Sequence, residues 1–152
     1  MNQLLSISIT FILWQAYANY EGKIEGNFYR LLNGRTTKNL HGLYLINRSI
    51  VYTIIISFDL FFCWDSEMWM VCKWAQTVFI LSIYPAVFNF WHNGAYFSTQ
   101  NDLLPTLYVK RWKADSDTSE AKHNTPWKQR LEDFILGCVF FVGSIINVLI
   151  NR

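Results

Sequence analysis

The chain has 152 residues, enough for one domain, and a net charge of +2, too small to suggest binding to nucleic acid. At 52% hydrophobic and 18% aromatic, it is too apolar for an ordinary soluble domain of this size. Its charges gather between apolar runs, the pattern of wet loops separated by dry spans, so a single integral membrane domain over 1–152 is expected.

Residues 1–20 carry no charge, and their core, LLSISITFILWQAYANY, predicts a first span over about 3–20. Ala16-Tyr17-Ala18 looks like a signal-peptide cleavage site, but Met1-Asn2-Gln3 lacks the usual Lys or Arg, so a retained helix is expected. Tyr20, Ile24, Phe28 and Leu31 recur every three or four residues, which continues the helix beyond the membrane as an amphipathic stalk. Glu21 and Glu25 lie one turn apart on a neighbouring face, and Asn33-Gly34 is a C-terminal stop.

A second span is predicted over 43–64, with Arg48 near its start and Asp59 near its end. Asp65-Ser66-Glu67 makes a tight turn into a third span over 68–91, which carries Lys73 in its second turn and Pro85 inside it. The third span opens the longest charge-free stretch, the 28 residues from Trp74 to Asn101, well beyond the roughly 20 that a bilayer requires. Residues 92–130 read as a long polar connection with a Lys110-Arg111-Trp112-Lys113 cluster suited to anionic headgroups. The fourth span, 131–150, holds Gly137, Gly143, Ser144 and Asn147, small and polar residues that favour close helix packing. The expected fold is all-α: a four-helix transmembrane bundle whose first helix extends into the cytoplasm, with a long cytoplasmic loop between helices 3 and 4.

Charge sets the expected orientation. Eleven Lys and Arg fall on the side of the 21–42 and 92–130 loops, and only Lys73 and Arg152 on the other. Positive-inside asymmetry then predicts both large loops cytoplasmic and both termini outside, in a bacterial inner membrane.

Three groupings suggest chemistry. Asp59 and Lys73 sit seven residues either side of Ser66, so a hairpin brings them to equal depth as an intramembrane ion pair. Cys63 and Cys72 flank the same turn, where buried free thiols are the expectation and a disulfide the alternative. Glu21, Glu25, His41, Arg48, His92 and Asn93 share the cytoplasmic interface and predict an ion-pair network. The alternative is a metal site using Glu21, Glu25, His41 and His92, as in a membrane-embedded metal-dependent enzyme. No HExxH, GxSxG, P-loop or GxGxxG is present, and nothing in the sequence calls for a cofactor.

At EGKIEGNFYRL, HGLYLINR and HNGAYFSTQNDL the chain resembles small uncharacterised multi-pass membrane proteins of Bacteroidetes-type bacteria and their phages. Glu21, Gly22, Gly26, Tyr29, His41, Arg48, His92 to Asn101, Tyr108, Lys110 and Trp112 carry the resemblance, which implies no activity but groups the same interfacial residues. The expected partners are the lipid bilayer and either a protein partner or further copies of the chain. A non-enzymatic role by interaction or self-assembly is the leading expectation, with the metal-dependent enzyme and an oligomeric channel or holin-like pore as alternatives.

Overall fold

The structure, a computed structural model, describes residues 3–31, 38–103 and 126–151; side chains are described for all of these except 29–31, 38–41 and 100–103. Four helices account for them: α1 (Gln3–Leu31), α2 (Lys38–Trp64), α3 (Met70–Leu103) and α4 (Trp127–Ile150). Three stretches, Gly42–Trp64, Met70–Thr99 and Trp127–Ile150, are long and apolar enough to cross a bilayer, so the protein is an all-α membrane bundle. α1 is less apolar for a local reason. Its polar residues Gln3, Ser6 and Thr10 are buried inside the bundle, while Leu5, Ile9, Ile12 and Leu13 face outward.

α3 is the central helix. α1 and α4 pack along it extensively, and α2 touches α1 and α3 over a shorter length. α1 runs parallel to α3, since Thr10 meets Tyr84 and Gly26 meets Thr99. α4 runs antiparallel to α3, with Gly137 against Val87 and Ser144 against Gln76. The stalk of α1, the end of α3, and the starts of α2 and α4 therefore gather at one end of the bundle.

The stalk continues as predicted, but α3 does not stop at residue 91. It runs twelve residues further, to Leu103, so part of the predicted polar connection is helix. HNGAYFSTQNDL contains no proline, and its backbone is met by the stalk. Gly22 lies so close to the His92 carbonyl that a Cβ would overlap it, and a Cβ on Gly26 would stand 3.0 Å from Thr99 Cβ. Small residues at these two points let the helices approach closely at this end of the bundle. α4 likewise begins earlier than predicted, at Trp127. The Asn33-Gly34 stop and the Lys110–Lys113 cluster lie outside the described residues.

Pro85 cannot donate to the Leu81 carbonyl. Tyr52 of α2 does so instead, its phenol donating at 3.2 Å. On the other side of α3, Gln76 Nε2 donates to Ser144 Oγ at 2.5 Å, and Asn147 Nδ2 donates to Gln76 Oε1 and to the Cys72 carbonyl, each at 3.0 Å. The Asp65–Glu67 turn forms as expected, with Asp65 N–H donating to the Phe61 carbonyl at 3.0 Å. Cys63, Cys72 and Cys138 are free thiols.

The Asp59–Lys73 pair does not form. Asp59 is fully buried and faces α1 and α3, accepting from Ser6 Oγ at 2.7 Å, Thr10 Oγ1 at 2.8 Å and the Tyr84 phenol. Lys73 instead donates to the Trp64 carbonyl at 2.9 Å, near the hairpin tip. Equal depth did not mean a shared face: Asp59 points into the bundle, and the long lysine stem reaches a helix end.

Two outcomes follow for the purified protein in detergent. Gly22→Leu is expected to lower unfolding stability by about 1–3 kcal/mol, because overpacking at a backbone contact cannot relax through a flexible side chain. A double-mutant cycle is expected to give coupling of roughly 0.5–3 kcal/mol between Asp59→Asn and Tyr84→Phe, and simple additivity between Asp59→Asn and Lys73→Ala.

Candidate functional site: a charged clasp at one end of the bundle

The side chains of Glu21, Glu25, Arg48, His92 and Asn93 meet at the end of the bundle where α1 and α3 pack through glycine. Arg48 reaches across from α2. Its Nε donates to Glu21 Oε1 and its Nη2 to Glu25 Oε2, both at 3.0 Å. Glu21 and Glu25 present adjacent oxygens because a four-residue step on a helix returns nearly to the same face. One planar guanidinium can then take both. Phe88 lies beneath, with the Arg48 guanidinium carbon 5.0 Å from its ring centre and the His92 ring stacked on it at 5.0 Å.

His92 completes the group. Its Nε2 stands 2.8 Å from Arg48 Nη2 and 2.8 Å from Glu25 Oε2, and its Nδ1 stands 3.0 Å from Asn93 Oδ1. Arginine can only donate. Nη2 therefore gives one hydrogen to Glu25, and Nε2 meets both Nη2 and Glu25 Oε2: it accepts from the first when the ring's proton is on Nδ1 and donates to the second when it carries a proton itself. Next to the clasp, Asn47 Nδ2 donates to the Tyr17 phenol at 2.9 Å, a second polar bond between α2 and α1.

With a neutral His92 ring, the charges do not balance if both acids are ionised, since two carboxylates face one guanidinium. The imbalance falls on Glu21, which is 3% exposed and whose Oε2 is buried with no hydrogen-bond partner among the described residues. Burial pushes its carboxyl above the ordinary 4.5, against the opposing pull of Arg48. A proton held there leaves the Arg48–Glu25 pair intact and makes the group neutral, the least costly state at the edge of a bilayer.

No protein family, curated protein or solved structure matches this chain. Its own geometry is what identifies the site.

Of the six residues predicted to gather, five do, as the ion-pair network that the sequence suggested. His41 lies in α2, but its side chain is outside the described residues. Among the described residues, no three His, Cys, Asp or Glu side chains converge as a metal site would require. The aromatic floor, Phe88, and the Tyr17–Asn47 bond were not anticipated, because nothing local distinguishes them from other interior and surface residues. Ser6 and Thr10 were traceable in principle. They lie four residues apart on α1, a polar strip in an otherwise apolar helix.

Arg48→Ala is expected to lower stability by about 3–5 kcal/mol, because it leaves the Glu25 carboxylate without its cation and the buried Glu21 carboxyl without its donor. Thermal or denaturant unfolding in detergent measures this. Arg48→Lys is expected to recover only part of the loss, since an ammonium cannot present the same fork to both acids. The folded state holds the Glu21 proton above pH 4.5, where the unfolded chain has lost it. The wild type is therefore expected to lose stability, relative to Glu21→Gln, as pH rises from about 4.5 through the raised value. A flat difference between the two proteins across that window contradicts the assignment.

Proposed function

We propose that this chain is a bacterial inner-membrane protein that acts without catalysis, by binding a protein partner or further copies of itself at its cytoplasmic face. The observation that carries this reading is the double engagement of Arg48. Glu21 and Glu25, half of the ligand set that a metal-dependent enzyme would use, are both taken by one guanidinium that ties α2 to α1. The clasp fixes the spacing of three helix ends, which suits a surface that must present loops in a set arrangement. In this reading both termini lie outside, and the gathered ends carry the basic 21–42 and 92–130 segments into the cytoplasm, as their eleven Lys and Arg favour.

A cysteine-labelling experiment tests the orientation in cells, with the native cysteines replaced by alanine. Cysteine introduced at Thr36 or Ser116 is expected to be shielded from an impermeant maleimide, and cysteine at Ser66 to react. Labelling of Thr36 and Ser116 on opposite sides of the membrane overturns the reading. Crosslinking in intact membranes is expected to trap one defined complex or a homo-oligomer. Metal that co-purifies with the protein and is lost in Glu25→Gln, or conductance on reconstitution, points instead to the enzyme or to the pore.

A further inference from the structure

Beside the clasp, a cleft of about 310 Å³ opens between α1, α2 and α3, lined by Trp14, Arg48, Ser49, Tyr52, Pro85, Phe88 and Asn89. Its rim residues Ser49 and Pro85 are exposed and lie on spans, so its mouth opens sideways towards lipid. Arg48 is six residues inside the Gly42–Trp64 span, about 9 Å along the axis at 1.5 Å per residue. The cleft is thus at acyl or ester depth, below the headgroups.

Its chemistry is two-sided. Trp14, Tyr52, Phe88 and Pro85 make an apolar, largely aromatic wall. Tyr52 and Trp14 are fixed there by bonds already made, to the Leu81 carbonyl and, through the indole N–H at 2.8 Å, to the Tyr84 carbonyl. The polar end holds donors without an acceptor among the described residues. Arg48 commits Nε and Nη2 to Glu21, Glu25 and His92, leaving Nη1 with no acceptor among the described residues. The Asn89 carboxamide also makes no hydrogen bond among them, although it borders the same space. At this depth, unmade hydrogen bonds are costly, so an oxygen acceptor brought by a ligand is favoured there.

The charge of the clasp selects among such ligands. The guanidinium already has two acid side chains against it at 3.0 Å, so an anionic headgroup gains little from Arg48. We infer that the cleft is a binding site for an uncharged, lipid-soluble molecule whose carbonyl oxygen is held by Arg48 Nη1 and the Asn89 amide, with its apolar body against Trp14, Tyr52 and Phe88. Two sources share this chemistry, a quinone-type ring and the ester carbonyl of a neutral glyceride. The inference goes beyond the interaction role proposed above and does not depend on which partner meets the loops.

The test uses the full chain in detergent and follows its melting temperature during titration with four probes. These are a decyl-benzoquinone, dioctanoylglycerol, dodecane and dodecyl phosphate. One or both carbonyl probes are expected to raise the melting temperature in a saturable way; a response to the quinone alone or to the glyceride alone identifies the source. Asn89→Leu is expected to weaken that binding at least about fivefold, the loss that one net hydrogen bond represents. Ser49→Phe, at the exposed mouth, is expected to abolish it. An equal response to dodecane, tighter binding of dodecyl phosphate, no response to either carbonyl probe, or wild-type binding by both variants overturns the inference. If either variant fails to purify, the carbonyl-against-alkane comparison on the wild type decides alone.

Discussion

An apolar side chain gains little by leaving lipid for a neighbouring helix, so helices that associate in a bilayer do so through close packing and polar bonds. α2 depends on the second of these. Among its described side chains, those buried are Ile56, Asp59 and Cys63, all in its second half, while Leu43, Leu45, Ile46, Ile50, Ile54, Phe58 and Phe61 face outward. What holds it is a series of polar attachments along its length: Arg48 to two acids, Asn47 to Tyr17, Tyr52 to a freed carbonyl, and Asp59 to three hydroxyls. The remainder of the bundle is built differently. α1 and α4 meet α3 over glycine, with Phe11 stacked on Phe141 at 4.1 Å and Gly143 against the Phe79 ring.

This division gives the bundle a tightly packed body and one helix secured at both ends by charge and hydroxyl groups. The cleft lies where α2 leaves the body between those attachments. Pro85 contributes by freeing a carbonyl that α2 can claim, so a helix-breaking residue becomes a point of contact. The polar groups that hold the helix also border the space beside it, and the guanidinium serves both: two of its nitrogens clasp, and the third is left to the cleft.

Much of the site was legible because intramembrane and interfacial charge is scarce and therefore conspicuous. Glu21, Glu25, Arg48 and His92 stand out against apolar surroundings, and helical spacing placed each near one end of its span. Asp59 was equally conspicuous, but its partner was misread. A hairpin fixes depth along two neighbouring helices, whereas the direction a side chain faces depends on how each helix is rotated in the bundle. Asp59 is turned toward α1, where Ser6 and Thr10, 53 and 49 residues away in sequence, serve as donors. The extension of α3 to Leu103 was missed for a related reason: a polar segment reads as loop unless its packing partner is known, and here that partner is the Gly22–Gly26 face of α1.

Hydropathy and charge, which act residue by residue against the solvent, were enough to determine that this is an all-helical membrane protein and that its acidic, basic and imidazole groups collect at shared levels. They also marked the turn at Asp65–Glu67 and the small residues of α4 as features of packing. Only the tertiary structure decided which groups pair at those levels, how far the central helix runs, and that an amphipathic cleft adjoins the clasp. Those outcomes depend on helix rotation and on contacts between segments distant in the chain, which local pattern does not encode.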